Sequence, residues 1–365
     1  MNYSFLRSAI AHIPHAYHGA IDFAELEDWG IPPDDILDFS VNSNPFGHPD
    51  VIHAALATAP FHRYPDKACL ALRREIVSHL KIDSIDSVLV GNGTAELLFL
   101  ICFACLEPAD SVLVLAPTFG EYGRMAQLMG ADVVEYHAQE RNNFVWEPDV
   151  LMAHLDQHRP KLCFLCNPNN PTGQVVATSQ IIAWADAYPQ TLFVIDEAYL
   201  NFVPNLASVC HDRRPNLISL RSMTKDYAVA GLRLGYLVGE PKLVQGIAAG
   251  QVPWSVNELA QTAGVAVLQA HDQFVADWSR LCQTTAKFQD GLRELGFAPL
   301  FSHTHYFLLP VANGRAFRQH MLRRRILVRL AESYHLPQMV RVSTQIPEMN
   351  ERFLAAAAKW GKSAV

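Results

Sequence analysis

The sequence predicts an α/β protein with a large domain, built on a mostly parallel sheet, and a smaller α+β domain. Between about residues 86 and 240, short apolar runs alternate with helix-like segments, as in successive strand–helix–strand units. Most of the runs are almost continuously hydrophobic, which is typical of strands that are covered on both faces. The strands predicted in this way are 87–90, 111–115, 132–136, 162–166, 192–195, 217–220 and 235–238.

The regions on either side of this alternation have a different character. Residues 1–48 are rich in Asn, Pro, Asp and Gly, which signal turns. After Pro253 a mostly helical stretch is followed by short strands, at 306–309 and 340–343, that alternate with helices. We therefore predict an N-terminal arm at 1–48 that joins the small domain, a large domain at 49–245 and a small C-terminal domain at 246–365.

Composition and charge argue against several classes of protein. The chain has 365 residues, of which 50% are hydrophobic, so it can bury a sizeable core. A formal net charge of −7 without a dominant basic stripe argues against nucleic acid as a partner. The longest apolar run, 97–106, is too short to span a membrane. The N-terminus lacks the layout of a secretory signal and the seven cysteines do not suggest a disulfide framework, so we expect a cytoplasmic protein.

A lysine flanked by hydroxyl groups is the most informative feature of the chain. Lys225 follows the apolar run 217–220, and Ser222, Thr224 and Arg233 lie near it in the sequence. Two hydroxyls and a guanidinium suit a site for a dianionic phosphate. An amine beside a bound phosphate is what a Schiff base with pyridoxal 5'-phosphate (PLP) requires. The segment therefore predicts a PLP site with Lys225 as the catalytic amine.

A glycine turn at residues 91–96 follows a predicted strand and precedes an apolar helix. Free N–H groups and the dipole at the start of a helix favour an anion there. A dinucleotide-binding motif would need a third glycine, but Glu96 occupies that position and the motif lies too far along the chain. A cradle for a single phosphate, formed by Gly93 and Thr94, fits better.

Two further polar segments follow predicted strands. The turn at 167–173 is rich in Asn, Pro and Gly, and so is typical of ordinary turns, but it lies at the carboxyl end of a strand, where α/β sheets bind ligands. Asn170 there would donate a hydrogen bond to a phenolic oxygen. Asp196 ends the run 192–195, and a buried carboxylate needs a partner. That partner is either a neighbouring arginine or the pyridinium nitrogen of PLP, with Tyr199 on the phenolate.

Asn170, Asp196, Lys225 and Arg233, in this order on successive strand ends, resemble the PLP-dependent aminotransferases of class I/II, which have fold type I. The resemblance implies that Lys225 forms the Schiff base, that Asp196 pairs with the ring nitrogen and that Asn170 and Tyr199 contact the phenolic oxygen. It also implies phosphate contacts from Gly93, Thr94, Ser222, Thr224 and Arg233.

Two more site residues follow from the same resemblance. Phe119 takes the position whose aromatic ring stacks on the cofactor. Arg341 takes the position of the arginine that binds the substrate carboxylate. Segments at 38–45 and 63–66 are similar to the branch that contains histidinol-phosphate aminotransferases and threonine-phosphate decarboxylases. In that branch the tyrosine of the second segment, here Tyr64, reaches the cofactor phosphate of the partner subunit, which implies a homodimer with shared sites.

Finer similarities favour the decarboxylases of that branch, which act in cobalamin side-chain synthesis, with the aminotransferases as the alternative. They lie at His18 and Gly19, 121–124, 231–238 and 251–257. The sequence departs from the usual pattern of these decarboxylases at 91–95 and at Asp226, a position where an aromatic residue is common.

The two reactions differ in which bond at the substrate's Cα is held perpendicular to the cofactor ring. A carboxylate fixed in the ring plane by Arg341 favours proton loss, and one turned out of plane favours loss of carbon dioxide. The candidate anchors for a substrate phosphate are Arg329, His18 and Asn42.

Three other interpretations have less support. Two Cys-x-x-Cys pairs, at 102–105 and 163–166, suggest zinc, but on a strand a spacing of three places side chains on opposite faces, so we expect no metal. A sensor protein that has lost catalysis would lack Lys225 or Asp196, and both are present. A nicotinamide dehydrogenase is disfavoured by Glu96.

Overall fold

The computed structural model of the protein describes residues 12–360 together with residues 5, 7 and 10. Most of the first eleven residues, whose composition argued against a secretory signal, lie outside the described residues. The strands in chain order are β1 (Leu37–Asp38), β2 (Val88–Asn92), β3 (Ser111–Ala116), β4 (Asp132–His137), β5 (Leu162–Cys166), β6 (Leu192–Asp196), β7 (Leu217–Ser222), β8 (Leu234–Val238), β9 (Tyr306–Pro310), β10 (Ile326–Leu327), β11 (Arg329–Leu330) and β12 (Met339–Ser343).

The helices of the described residues range from six residues in α1 to 24 residues in α10. They are α1 (Phe23–Asp28), α2 (Pro49–Leu56), α3 (Leu70–Leu80), α4 (Gly93–Cys105), α5 (Glu121–Leu128), α6 (Pro148–His158), α7 (Thr178–Ala187), α8 (Pro241–Ala248), α9 (Glu258–Gln269), α10 (His271–Glu294), α11 (Gly314–Leu322) and α12 (Pro347–Ala357). None of these helices has the length and apolarity needed to cross a membrane.

A seven-stranded sheet in the order β2-β8-β7-β6-β5-β3-β4 forms the centre of the large domain. β8 runs antiparallel to both of its neighbours, and the other neighbouring pairs are parallel. Strands β5 to β8 are buried along almost their whole length. The mostly parallel α/β fold predicted from the sequence is therefore confirmed.

The small domain is built on the antiparallel sheet β11-β12-β9. The arm contributes to it, because β1 pairs in parallel with β10 and places Leu37 opposite Ile326. Phe39 of the arm packs in the same buried cluster as Phe317 and Phe353. The arm thereby runs across the small domain before it enters the large one.

The long helix α10 contacts both hydrophobic cores. Phe274 and Leu281, in its first half, belong to the core of the large sheet, whereas Phe288 and Leu292 belong to the core of the small domain. Helix α9 also packs on the large core, through residues such as Val267. The boundary at residue 245 stays a prediction, and the shared helix ties the two cores together.

Candidate active site

A cavity of about 260 Å³ lies at the carboxyl ends of the parallel strands, between the two domains. Most of the residues predicted from the sequence line it: His18, Asn42, Thr94, Phe119, Asn170, Asp196, Tyr199, Ser222, Thr224, Lys225, Arg233, Arg329 and Arg341. The topology explains this meeting, because ligands in open α/β sheets bind beyond the carboxyl ends of the strands.

One end of the cavity suits a phosphate. Gly93 begins α4 with φ of +75°, and a Cβ at this position would lie 2.7 Å from Nη2 of Arg233. The guanidinium therefore lies directly over the start of the helix, where free N–H groups point outwards. Ser222 Oγ and Thr224 Oγ1 lie 2.7 Å apart beside it. Helix N–H groups, a cation and two hydroxyls together match a dianion.

Asp196 lies at the end of β6 and is 5% exposed. Tyr122 Oη donates a hydrogen bond to Oδ2 at 2.7 Å, and the Ala198 N–H donates to Oδ1 at 3.0 Å. Burial raises the pKa of Asp196 to about 6, although both hydrogen bonds act to lower it. The nearby arginine, Arg221, lies 3.8 Å from Glu197 and not beside Asp196. Among the described residues Asp196 has no cationic partner, which leaves it available to a protonated ring nitrogen.

Lys225 follows β7 and its amine faces the cavity. Burial, followed by the nearby charges of Arg341 and Arg233, lowers the pKa of Lys225 to about 8. Each of these effects disfavours the ammonium form, so a useful share of the amine is neutral near physiological pH. A neutral amine is the form that attacks an aldehyde.

Arg341 projects into the cavity from β12 and is 4% exposed. It donates hydrogen bonds to Asn170 Oδ1 and to the Ser40 carbonyl oxygen, while its Nε has no partner in the described part of the chain. Both partners are neutral, so the positive charge is not balanced locally. A buried cation of this kind favours an anionic ligand.

Arg329 is a second buried arginine, 2% exposed, on β11. It donates to the carbonyl oxygens of Leu330 at 2.7 Å and Tyr17 at 2.5 Å, and to Ser333 Oγ at 2.8 Å. The ring of Tyr17 lies 4.1 Å from its guanidinium carbon. Burial lowers the pKa of Arg329, and all its hydrogen-bond partners are neutral.

His18 and Asn42 line the cavity on the side of the arm. His18 Nε2 lies 2.8 Å from Glu121 Oε1, and its ring centroid is 5.4 Å from that of Phe119. Asn42 Nδ2 donates to Tyr199 Oη at 3.4 Å, and its Oδ1 is buried without a partner among the described residues.

Comparison with known proteins identifies the family. The model of the family "Aminotransferase class I and II" matches residues 34–357. The chain belongs to this family. A histidinol-phosphate aminotransferase of Symbiobacterium thermophilum is 34% identical over 329 residues, 88% of this chain and 90% of the relative. A threonine-phosphate decarboxylase of Salmonella typhimurium is 33% identical over 340 residues, 90% of this chain and 92% of the relative.

A solved structure supports the fold of this class I and II aminotransferase chain. Histidinol-phosphate aminotransferase of Sinorhizobium meliloti, in complex with pyridoxal-5'-phosphate, superimposes with a TM-score of 0.88 at 22% identity. The match covers 100% of this chain and 99% of that one. The predictions of family, fold type I and PLP as cofactor are therefore confirmed, and the chain is a PLP-dependent enzyme.

The residues of this aminotransferase-family site fit PLP from end to end. Gly93, with no Cβ, leaves room for the phosphate against Arg233. Asp196 would hold a proton between its carboxylate and the ring nitrogen, and Tyr199 would contact the phenolic oxygen. When bound, PLP withdraws electrons from the substrate's Cα. Lys225 would carry the cofactor and then hold or deliver a proton near that carbon. These individual roles remain predictions.

Gly93 is not among the residues that line the cavity, although it adjoins Arg233, which does. Tyr64 is the predicted site residue that lies away from the cavity. It is 76% exposed, and its ring stacks on that of Trp254 with the centroids 4.6 Å apart. The resemblance assigned it to the site of a partner subunit, and its position outside the cavity of its own chain leaves that assignment a prediction.

Several residues that line the cavity were not predicted from the sequence, among them Tyr122, Tyr17 and Tyr334. Tyr122 had a usable signal, because it lies three positions after Phe119 at the start of a helix, where such residues share a face. Tyr17 comes from an irregular segment near the start of the chain and Tyr334 from a single 3₁₀ turn near its end. Nothing in their local sequence indicates where they point.

The cysteines of the two Cys-x-x-Cys pairs are free. Burial raises the pKa of the Cys102, Cys163 and Cys166 thiols, which disfavours the thiolate that metals bind. The part of the chain that the structure describes contains no group of three His, Cys, Asp or Glu residues able to hold a metal ion.

Proposed function

We propose that this PLP-dependent enzyme is a threonine-phosphate decarboxylase, which releases carbon dioxide from a short phosphorylated amino acid in cobalamin side-chain synthesis. The observation that carries the proposal is the pair of buried arginines, Arg329 and Arg341, which face the cavity without a carboxylate partner among the described residues. Arg233 is reserved for the cofactor phosphate, so two cations remain for the substrate.

A count of charges favours a substrate with two anionic groups. Lys225 and the three arginines line the cavity, whereas Asp196 is the carboxylate among its described lining residues. Threonine phosphate carries a carboxylate and a phosphate on a short carbon chain. We assign the phosphate to Arg329, with His18 and Asn42 beside it, and the carboxylate to Arg341, which would hold it turned out of the ring plane, the orientation that favours loss of carbon dioxide.

The proposed reaction needs few groups from the protein. Arg341 and Arg329 would orient the substrate so that the bond from Cα to the carboxylate carbon breaks. Carbon dioxide leaves, and Cα takes a proton in its place, for which Lys225 is the donor. Aminopropanol phosphate is the expected product, and no keto acid is consumed.

An aminotransferase of the histidinol-phosphate type is the second candidate, because relatives of that name match this chain at similar identity. It would use Lys225 to remove a proton from Cα, and the amino group would pass to a 2-oxo acid. Histidinol phosphate carries no carboxylate, so it would leave one of the two buried arginines without an anion in that half-reaction.

We also propose that the enzyme is a cytoplasmic homodimer with shared sites. The exposed apolar side chains include Phe61, Tyr64, Val252 and Trp254, and the rings of Tyr64 and Trp254 stack on each other. An exposed apolar patch of this kind is typical of a surface that another protein covers. All seven cysteines are free, which fits a reducing compartment.

The first test uses PLP-loaded enzyme, threonine phosphate and no keto acid. We expect carbon dioxide to be released, with a threonine control that lacks the phosphate reacting far more slowly. Absence of release, together with conversion of the cofactor to its amine form by histidinol phosphate, would establish the aminotransferase instead.

A variant at Arg329 refines the test. We expect Arg329→Gln to raise the KM for threonine phosphate by roughly 100-fold, because a charge-assisted contact to phosphate is lost. The exposed Arg293, which pairs with Asp290 far from the cavity, offers the matched control Arg293→Gln. An unchanged KM in Arg329→Gln would remove that arginine from the phosphate site.

A further inference from the structure

A layer of buried charged residues lies directly behind the active site. Each of three such residues is the sequence neighbour of a residue that lines the cavity. These pairs are Glu197 beside Asp196, Arg221 beside Ser222, and Asp226 beside Lys225. Within strand β7 successive residues point to opposite faces, so Arg221 points away from the side on which Ser222 faces the cavity. Glu197 and Asp226 lie just beyond the ends of β6 and β7 and, like Arg221, are not among the described residues that line the cavity.

Two residues of this layer, Arg221 and Asp226, are joined by a directed series of hydrogen bonds through Asn201. Arg221 Nη2 donates to Asn201 Oδ1 at 3.1 Å, and Asn201 Nδ2 donates to Asp226 Oδ2 at 2.7 Å. Glu197 lies 3.8 Å from Arg221 but makes its hydrogen bonds elsewhere, because it accepts from Ser208 Oγ at 2.5 Å, from Ser219 Oγ at 2.6 Å and from the Val209 N–H at 2.8 Å. Asp226 is therefore the carboxylate that ends the chain from Arg221 through Asn201.

Asp226 is 4% exposed and is held from several directions. Its Oδ1 accepts from the Tyr227 N–H at 3.0 Å. Its carbonyl oxygen accepts from Asn44 Nδ2 and from Trp278 Nε1, each at 3.2 Å. The preceding carbonyl, that of Lys225, accepts from the Asn44 N–H at 2.7 Å. The peptide that carries the catalytic amine is thus fixed on both sides.

We propose that Asp226 is a positioning residue of the active site, whose carboxylate holds Lys225 at a fixed distance from Tyr199 and Asp196. The tie runs through Asn201, which follows Tyr199 by two positions in a short helical turn. This role is independent of whether the enzyme is a decarboxylase or an aminotransferase.

The polarity of the hydrogen bonds explains why a carboxylate is needed. Both groups that face the side-chain oxygens of Asp226, Asn201 Nδ2 and the Tyr227 N–H, are donors. An amide at position 226 offers one acceptor and one donor, so one of the two N–H groups would be left unsatisfied in a buried place. Burial raises the pKa of Asp226 to about 7, and Arg221 and the two donors act to keep it ionised.

The test compares Asp226→Asn with a double variant that reverses the direction of the hydrogen bond between positions 201 and 226. In the apoenzyme of Asp226→Asn we expect the rate constant for capture of PLP, followed by absorbance, to fall roughly tenfold or more. The kcat of the loaded enzyme should fall similarly, with KM changed less than about threefold because the substrate anchors are untouched. Asp110→Asn, which breaks an ion pair with Lys161 outside the cavity, is the control and should leave both rates unchanged.

The double variant Asn201→Asp/Asp226→Asn restores every donor and acceptor, since the new carboxylate accepts from Arg221 and from the new amide. We expect it to return both rates to within about threefold of the wild type. Asn201→Ala removes the hydrogen bonds that link Arg221 to Asp226 but leaves the loop of Lys225 unchanged. It should therefore reproduce the slow capture of PLP even if Asp226→Asn does not fold. Normal capture of PLP by Asn201→Ala, or failure of the double variant to recover, would overturn the proposal.

Discussion

Lys225 shows how one residue acquires reactivity from its surroundings. Its pKa of about 8 means that about a tenth of the amine is neutral at pH 7, against a few parts in ten thousand for an ordinary lysine. We expect the rate of PLP capture by the apoenzyme to rise with pH and to level off above about pH 8. Stopped-flow absorbance over pH 6 to 10 measures this profile. A plateau beginning only near pH 10 would contradict the lowered pKa, and Arg341→Gln should move the plateau to higher pH.

Tyr122 lowers the pKa of Asp196, the carboxyl group that is predicted to pair with the ring nitrogen of PLP. Its hydroxyl donates to Asp196 at 2.7 Å and acts against the effect of burial on the pKa of that group. In Tyr122→Phe the pKa of Asp196 should rise further, so less of it is ionised at pH 7. We expect PLP to bind roughly tenfold or more weakly, as measured by absorbance titration. Tyr188→Phe, which breaks a bond to Asp156 outside the site, should bind normally.

Residues at strand ends could be predicted from the sequence because their chemistry is local. Lys225 and Asp196 each follow an apolar run, and the end of such a run in an α/β protein is where a ligand is expected. Tyr17 and Tyr334 could not be predicted, since their place beside Arg329 depends on contacts between distant segments. Tyr64 lies outside the cavity of its own chain, and its assigned contact with the cofactor phosphate of a partner subunit stays a prediction.

At the scale of elements, the start of α4 depends on one glycine. Gly93→Ala would place a Cβ 2.7 Å from Arg233 Nη2 at a residue whose φ is +75°, so both the turn and the guanidinium must shift. We expect affinity for PLP to fall roughly tenfold to 100-fold, measured by equilibrium titration of the apoenzyme. Gly231→Ala is the matched control, because a Cβ there meets nothing within 4 Å. Equal affinity in the two variants would show that the cradle does not hold the cofactor phosphate.

The seven predicted strands of the large sheet are present, with ends that differ by one or two residues. Buried strands of this length can be recognised in the sequence as apolar runs, because a strand covered on both faces has few polar residues. The short strands β1, β10 and β11 were not predicted, since two residues carry no periodicity. Helix α10 could be predicted as helical, but not as shared between cores, because its sequence does not reveal which neighbour each face meets.

At the scale of the whole molecule, the arm joins the parts of the site. It begins beside Arg329 through Tyr17, crosses the small domain as β1 and reaches the loop of Lys225 through Asn44. Arg329, the proposed phosphate anchor, and Lys225, the proposed catalytic amine, are therefore connected by one stretch of chain. This path explains why the predicted arm, although poor in regular structure, supplies both His18 and Asn42 to the cavity.

The predicted homodimer leads to a test with hybrid dimers, in which Tyr64 acts in the partner's site. We expect Lys225→Ala and Tyr64→Ala each to be nearly inactive alone. In a co-expressed mixture about half of the dimers are hybrids, and each hybrid keeps one site with both residues, so activity should return to about a quarter of the wild type. If Tyr64 served its own chain, every site would lack one residue and no activity would return. Phe61→Ala, at a neighbouring exposed aromatic residue, is the control and should be active without a partner variant.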